Sequence, residues 1–294
     1  MTMSQTPKPA TGSLIERAAE AFEFHKLLRS PEDALPSPVE IAKADAPVCT
    51  SSSAAIGRQQ LRERGFIVPG APPNALSEEF RLVKRQLLLT AFGTHNSQPA
   101  SSGRLILICS AQPNEGKTFC AVNLALSMAS ETDIEVLLVD ADVAKPEILS
   151  ILGLQGSAGL MDALADPSLD PEQLVIRTDI ANLCVLPAGR PTNNDTELLA
   201  SSRTRTLVEG LAAKNPRRII LFDSAPALAA SPASVLALHV GQAVLVVRAD
   251  RTSENDLRDA LSLIDSCPNI QLLMNAVTFR GSNRKFGSYY GSGE

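Results

Sequence analysis

The chain has 294 residues, of which 44% are apolar and 20% are charged, and its formal net charge is -5 at pH 7. That length suffices for one large domain or two without disulfides or metals, and the apolar content excludes a chain disordered throughout. The acidic balance argues against nucleic acid as the main partner.

Several absences in the sequence bear on where the chain resides. No apolar run approaches the ~18 residues of a membrane helix, and the polar start lacks the apolar centre of a secretion signal. The five cysteines are scattered, without a CxxC pair, as is typical of reduced cytosolic thiols. The sequence therefore predicts a cytoplasmic chain that does not span a membrane, with no metal site built from Cys or His.

Residues 1–73 are predicted to form an N-terminal extension. Ser13 and Glu16 make a capping-box pattern at the start of a short amphipathic helix. A Pro- and Ser-rich linker follows at 30–53. The helix carries acidic residues, which favours a docking or packing role over a membrane-surface role.

Residues 74–93 are predicted to hold a second helix, running from about Ser77 to Phe92 and stopping at Gly93. Apolar residues recur along one stripe of this helix. Its other face carries charges, and spacing alone favours a solvated face with i,i+3 pairs.

From residue 104 onward, short apolar strands alternate with helical segments. The strands are LILICS, VLLVDAD, LCVLPAG, IILFDSA, AVLVVRAD and IQLLMNAV. Nearly continuous aliphatic runs indicate strands buried on both faces. The predicted fold is therefore α/β, a mainly parallel sheet of the P-loop NTPase type with helices on both faces, and ligands in such sheets bind at the carboxyl ends of the strands.

A phosphate-binding loop follows the first strand. The segment AQPNEGKT, from Ala111 to Thr118, matches G-x-x-x-x-G-K-[ST] with Ala replacing the first Gly. Backbone N–H groups and a helix N-terminus surround the phosphates in such a loop. Lys117 is expected to reach the β and γ phosphates, and the Thr118 hydroxyl is expected to bind Mg²⁺.

Carboxylates follow two later strands. Asp223 ends IILFD and fits the second Mg²⁺ contact of a phosphate-loop protein. Asp140 and Asp142 lie two residues apart, so both are expected to point at one site. Mg²⁺ would account for the nearer carboxylate, and the other could accept a proton from an attacking hydroxyl.

These motifs together resemble the bacterial tyrosine kinases (BY-kinases) of polysaccharide synthesis and export. SAQPNEGKTF is similar to their phosphate loop, VLLVDADVAKP to their DxD-containing Walker A′ motif, and IILFDSAPAL to their Walker B strand. DADVAKP, LPAGRPTNNDTELLAS and GQAVLVVRA most resemble the exosortase-associated tyrosine autokinases. The resemblance covers about residues 75–277 and implies a kinase domain at 74–279.

The resemblance implies an ATP- and Mg²⁺-dependent tyrosine autokinase that regulates exopolysaccharide biosynthesis. Asp140 would be the base for the tyrosine hydroxyl. The other catalytic residues would be Lys117, Asp142 and Asp223. Metal ligation would come from Thr118, Asp142 and Asp223. The nucleotide would be bound by Pro113, Asn114, Glu115, Gly116, Lys117, Thr118 and Phe119, with Asn275 at the adenine base as in related ATPases.

The resemblance also implies self-association. The family's E-x-x-R-x-x-R motif, used to form a ring, corresponds here to Glu78, Arg81 and Lys84. Lys in the last position cannot make the bidentate contact that Arg makes. Other departures are Asn114 for a common Gly, Ala225 for a common Pro, and Ala144 for a frequent Arg.

The predicted tail, residues 280–294, is polar and rich in Gly and Ser, as flexible segments are. It contains both tyrosines of the chain, Tyr289 and Tyr290. Family members end in a tyrosine cluster phosphorylated by a neighbouring subunit, so these two are the predicted autophosphorylation sites. The resemblance further implies docking on the cytoplasmic tail of an inner-membrane chain-length-determinant protein.

Two other function classes fit part of the pattern. A MinD/ParA-type ATPase shares the loop and the sheet, but its signature lysine falls at Gln112 in this chain. A non-catalytic regulator of a polysaccharide assembly complex would keep every residue needed to bind ATP.

Overall fold

The computed structural model describes residues 53–93, 98–100 and 102–277. The predicted N-terminal amphipathic helix, nearly all of the linker and the tail with Tyr289 and Tyr290 lie outside these residues, so those expectations stay predictions.

Seven strands form one sheet in the order β3-β4-β2-β5-β1-β6-β7. All neighbouring strands are parallel except β3 and β4, which are antiparallel. The strands are β1 Leu105–Ser110, β2 Glu135–Ala141, β3 Ile176–Arg177, β4 Leu183–Leu186, β5 Arg218–Ser224, β6 Gln242–Arg248 and β7 Ile270–Asn275. The predicted α/β class with a mainly parallel sheet is confirmed, and the two-residue edge strand β3 was not predicted.

Helices cover both faces of the sheet, as predicted. The first four described helices pack on one face and the other five on the opposite face. They are α1 Arg58–Glu63, α2 Ala75–Phe92, α3 Lys117–Met128, α4 Ile148–Leu152, α5 Leu160–Ala165, α6 Asp195–Ala200, α7 Ser202–Lys214, α8 Pro232–Ala237 and α9 Glu254–Leu263, with a short 3-10 turn at Pro171–Leu174.

The central strands are buried on both faces, which explains their unbroken aliphatic runs. Alternate residues of β1 point to opposite sides, so Leu107 packs under α5–α9 while Ile106 and Ile108 pack under α1–α4. By the same alternation, the side chains of Asp140 on β2 and Asp223 on β5 face the α3 side. This register brings the predicted carboxylates to the helix that follows the phosphate loop.

Helix α2 begins and ends close to the predicted bounds. Asn74 accepts a hydrogen bond from the Ser77 backbone N–H at 2.9 Å, and the Ser77 hydroxyl accepts one from the Asn74 backbone, a capping box. Gly93 ends the helix with a φ of 75°, a left-handed conformation that glycine adopts without a Cβ clash. The cap at Asn74 starts the helix two residues before the predicted Ser77.

The packed body begins before residue 74, where the sequence placed the start of the kinase domain. Ile56, Leu61 and Phe66 are buried in the core on the α3 face. Asp179 accepts a hydrogen bond from the Ile56 backbone at 3.0 Å and pairs with Arg58. Residues 53–73 thus belong structurally with the sheet, although their apolar residues are too sparse to show a periodic pattern.

The amino ends of β2 and β5 carry a buried ion-pair cluster. Arg218 is 2% exposed and pairs with Glu135, which is its register partner across the two strands. It also pairs with Glu172 at 2.6 Å and donates to the Leu211 carbonyl. Each nitrogen of the buried Arg218 guanidinium group therefore has a hydrogen-bond partner.

None of the helices in the described part of the chain is both long enough and apolar enough to cross a membrane.

Candidate active site

The phosphate loop connects β1 to α3 at the carboxyl edge of the sheet. Gly116 caps α3 with a φ of 99°, and Asn114 has a φ of 64°. Asn adopts this left-handed conformation more readily than most residues, so it can replace the glycine common in the family. Helix α3 begins at Lys117, so the free N–H groups of its first turn point toward the loop.

Two carboxylates lie side by side at the carboxyl ends of β2 and β5. Asp140 and Asp223 are register partners on these adjacent strands, and each is 1% exposed. Asp140 accepts a hydrogen bond from the Ile148 backbone N–H at 3.1 Å. Within the described residues, one oxygen of Asp140 and one of Asp223 are buried without a hydrogen-bond partner.

Burial and like charge raise the pKa of both carboxyls. Burial, followed by the neighbouring Asp223 carboxylate, raises the pKa of Asp140 to about 7. Burial also raises the pKa of Asp223 to about 6, although Lys117 and a hydrogen bond from Thr118 oppose the rise. Two acidic side chains held close together despite their mutual repulsion are common in functional sites.

Lys117 is the cation that faces these acids. Its ammonium lies 2.8 Å from Asp142 and donates to the Thr118 hydroxyl at 3.1 Å. Burial lowers the pKa of Lys117, but Asp223, Asp142 and Asp140 outweigh burial and raise it, so the side chain is charged. The structure thus brings Lys117, Thr118, Asp140, Asp142 and Asp223 to one place, and their roles stay predictions.

The residues present fit a magnesium ion bound with a nucleotide. The Asp223 oxygen that lacks a partner among the described residues lies close to the Thr118 hydroxyl and the Asp142 carboxylate, and these are hard oxygen donors of the kind Mg²⁺ prefers. No group of three His, Cys, Asp or Glu side chains positioned to hold a metal occurs in the described ranges. Such an ion would therefore draw its other ligands from phosphate and water, which is usual for Mg²⁺ in nucleotide sites.

Glu115 and Phe119 point away from where phosphates would lie. Glu115 is fully buried and accepts hydrogen bonds from the Gln112 backbone N–H and from the Thr252 hydroxyl. The Phe119 ring packs against Phe66 at a centroid distance of 5.0 Å. Both residues shape the loop with their side chains, which leaves their backbone N–H groups for the predicted nucleotide contact.

Asn275 lies directly against the loop, where the sequence prediction had placed it at the adenine base. Its amide donates to the Glu115 carbonyl at 2.9 Å, and its carbonyl oxygen accepts from the Ala276 backbone. The adenine contact stays a prediction, whereas the contact with the loop is observed.

Side chains at the end of β6 and in α9 bind the phosphate loop, and no sequence pattern predicted them. Arg248 donates to the Asn114 carbonyl at 2.9 Å, and Gln112 donates to Asp256 at 3.0 Å. These partners are more than 130 positions apart in the chain. Only the Ser253–Asp256 capping box has a local sequence signal, and it predicts a helix start rather than a loop contact.

The structure separates the three residues of the predicted oligomerisation motif. Glu78 and Arg81 pair with each other at 2.7 Å on the solvent side of α2, as spacing alone suggested. Lys84 is buried, donates to the Ser127 carbonyl at 2.8 Å and pairs with Glu131 at 2.6 Å. Lys84 therefore packs α2 on the end of α3, and the predicted oligomerisation roles of Glu78, Arg81 and Lys84 stay predictions.

Fold and site together define a P-loop nucleotide-binding protein. The tyrosine kinase YwqD of Bacillus subtilis is 30% identical over 238 residues, which are 80% of this chain and 94% of that protein. The tyrosine kinase Wzc of Salmonella typhimurium is 26% identical over 80% of this chain, but the match spans only 31% of Wzc. The kinase domain of Escherichia coli tyrosine kinase ETK superposes with a TM-score of 0.58 at 22% identity, covering 79% of this chain and 94% of that domain.

This chain belongs to the family of bacterial protein-tyrosine kinases, because it is 30% identical to YwqD and covers 94% of that protein. No protein-family model matches the chain.

Proposed function

We propose that this chain is an ATP- and Mg²⁺-dependent tyrosine autokinase that phosphorylates Tyr289 and Tyr290 of a neighbouring copy. The observation that carries the proposal is the buried group of one cation and three acids at the carboxyl ends of β2 and β5. Its members are Lys117, Asp140, Asp142 and Asp223.

Each side chain in this group has a distinct role. Lys117 and the loop N–H groups would bind the phosphates, and Thr118, Asp142 and Asp223 would hold Mg²⁺ directly or through water. When bound, Mg²⁺ neutralises charge on the phosphates. Asp140 takes the proton of the attacking tyrosine hydroxyl, a role supported by its raised pKa of about 7. The rest of catalysis is positioning, as in phosphoryl transfer generally.

Self-association is the second part of the proposal. The solvent side of α2 carries the Glu78–Arg81 pair together with Leu82, which is 59% exposed. We infer that this side contacts the next copy in a ring. Two phosphates on the tail would add about -3 to -4 of charge beside Arg284 and Lys285, so phosphorylation releases the ring. A particle of unchanged size before and after phosphorylation would contradict this cycle.

The cellular setting rests on the resemblance to the exopolysaccharide autokinases. We propose a cytoplasmic kinase, held at the inner membrane by the cytoplasmic tail of a chain-length-determinant protein, that regulates exopolysaccharide synthesis and export.

A MinD/ParA-type ATPase is the less supported alternative. The residue at its signature-lysine position is Gln112, which can carry no charge to a partner subunit. The Gln112 side chain instead donates to Asp256 of the same chain.

Intact-mass measurement after incubation with Mg²⁺-ATP tests the kinase. The wild type is expected to gain one or two phosphates, whereas Lys117→Met and the double variant Tyr289→Phe/Tyr290→Phe gain none. Lys145→Met is the matched control, because Lys145 follows β2 but is 70% exposed and, within the described residues, its ammonium pairs with Glu147 alone. ATP hydrolysis without phosphate on the protein, even with the partner's cytoplasmic segment present, would favour the ATPase or the non-catalytic regulator.

A further inference from the structure

A fully buried acid inside an anion-binding loop needs a physical reason. Glu115 sits in the phosphate loop with no exposed surface. Its carboxylate accepts the Gln112 backbone N–H at 2.8 Å and the Thr252 hydroxyl. Thr252 in turn accepts the Arg248 backbone N–H at 2.9 Å. The carboxylate thus ties the loop to the connection between β6 and α9 and is directed away from the phosphates.

Two further contacts bind successive carbonyls of the same loop. The Arg248 guanidinium donates to the Asn114 carbonyl at 2.9 Å, and the Asn275 amide donates to the Glu115 carbonyl at 2.9 Å. Arg248 ends β6 and Asn275 ends β7, so both donors stand on the rigid edge of the sheet. We call the side chains of Glu115, Arg248, Thr252 and Asn275 the loop clamp.

Peptide geometry connects the clamp to phosphate binding. In a trans peptide the carbonyl of one residue and the N–H of the next point in opposite directions. Holding the Asn114 carbonyl toward Arg248 therefore turns the Glu115 N–H to the other side. Holding the Glu115 carbonyl toward Asn275 does the same for the Gly116 N–H. Backbone N–H groups of such a loop are the groups that cradle phosphates.

The close fit at Gly116 supports the same conclusion. A Cβ at this position would lie 2.0 Å from the Asn275 amide nitrogen. The Asn275 amide therefore packs directly on the loop backbone, and the glycine is required for that contact as well as for its φ of 99°.

We propose that the loop clamp presets the phosphate loop, making Arg248 and Asn275 positioning residues for the triphosphate of the nucleotide. The inference rests on the proposed nucleotide-binding function. A preset loop loses less conformational freedom when the phosphates bind, so affinity is gained without further contacts to the ligand.

Binding of inorganic triphosphate and of ATP, each in Mg²⁺ buffer, measures this effect by calorimetry. Arg248→Met and Asn275→Leu each remove one donor to the loop and are expected to weaken both ligands about tenfold, the effect of one lost hydrogen bond. Arg248→Lys keeps a donor and should recover part of the affinity. Arg251→Met is the matched control, since Arg251 is exposed in the same connection, and its affinity should equal that of the wild type.

Kinetics separate positioning from a general loss of structure. The clamp acts before the nucleotide is bound, so the variants should raise the KM for ATP while kcat at saturating ATP stays near the wild-type value. Thr252→Val removes only one hydroxyl and gives a milder variant should the others fail to fold. It is expected to raise KM in the same direction.

Three results would overturn the inference. Unchanged triphosphate affinity in both Arg248→Met and Asn275→Leu would show that the clamp does not preset the loop. If triphosphate affinity falls in Arg248→Met but not in Asn275→Leu, Arg248 acts through its charge on the phosphates rather than by holding the loop. A wild type that binds neither ATP nor triphosphate would remove the proposed function itself, which distinguishes that failure from a failure of the clamp.

Discussion

Buried charges are arranged in opposite ways at the two ends of strands β2 and β5. At their amino ends, β2 and β5 place Glu135 beside Arg218, opposite charges that satisfy each other together with Glu172. At their carboxyl ends the same strands place Asp140 beside Asp223, like charges that each keep one buried oxygen without a partner in the described part of the chain. One end is arranged for stability, and the other keeps an electrostatic cost that Lys117 offsets in part and a bound cation would offset further.

The difference in charge between the two ends indicates that the functional site lies at the carboxyl ends, and no sequence motif is needed for this inference. Satisfied buried charges are common structural features, whereas a like-charged pair held in the core destabilises the fold. A protein retains such a pair where the site needs it. Substitutions at the two ends should therefore separate activity from stability.

The largest effect is expected for Asp223→Asn. Removing this carboxylate should lower the autophosphorylation rate about a thousandfold, because a charge that holds the metal and nucleotide is lost. The rate is measured by intact mass over time with Mg²⁺-ATP. Unfolding in urea should show stability equal to or above that of the wild type, and a variant that is inactive only because it is unfolded would contradict the assignment.

The opposite result is expected at the amino ends. Arg218→Met should lower the free energy of unfolding by about 3 kcal/mol, because it leaves Glu135 and Glu172 without their shared partner. Urea denaturation measures the loss. The phosphorylation rate per folded molecule should stay at the wild-type value, and a selective loss of rate would connect the two ends in a way the structure does not explain.

Much of this contrast could be predicted from the sequence at the carboxyl ends and little of it at the amino ends. AQPNEGKT, DAD and the terminal Asp of IILFD are local patterns with defined chemistry, so Lys117, Asp140 and Asp223 were identified together. Arg218 and Glu135 begin their strands without any pattern that pairs them. Their pairing depends on strand order, which the sequence alone does not specify.

A smaller effect of opposite sign is expected for Asp140→Asn. The variant should be more stable than the wild type by about 1 kcal/mol in metal-free buffer, since it removes one of two buried like charges. The Asn oxygen can still accept the Ile148 backbone N–H, so the local fold is retained. Urea unfolding gives the difference, and a less stable variant would mean that the two carboxyls do not repel each other in the folded chain.

The smallest effect concerns pH at the Arg218 cluster. The hydrogen bond from Arg218 lowers the pKa of Glu172 from its ordinary value of 4.5, outweighing the effect of partial burial. Ionised Glu172 therefore stabilises the fold above pH 4.5, and that contribution is lost as the pH falls through the lower folded pKa.

Thermal unfolding of Glu172→Gln across a pH series checks this expectation. The variant should be less stable than the wild type by up to about 1 kcal/mol at pH 7, and the two should converge in acid. Glu197→Gln is the matched control, because Glu197 is an exposed acid. A difference between Glu172→Gln and wild type that persists at pH 3 would assign the effect to packing rather than to charge.

At the site, too, the contacts of individual side chains depend on tertiary packing that the sequence does not specify. Asn275 was selected by its position at a strand end, but its partner became clear only when β7 was placed beside β6 and the loop. Lys84 matched a motif by spacing, yet its side chain turns inward to Ser127 and Glu131 because α2 packs on α3. Residue type and spacing predicted the chemistry, while tertiary packing decided which way each side chain points.

The most direct test of the like-charged pair is the autophosphorylation rate across a Mg²⁺ titration, for the wild type and Asp223→Asn at fixed ATP. If Asp140, Asp142 and Asp223 form the metal and nucleotide site, the wild-type rate rises with Mg²⁺ and saturates. Asp223→Asn should then stay near zero or need far more Mg²⁺. Equal rates for the two proteins at limiting Mg²⁺ would contradict the assignment of this end of the strands as the active site.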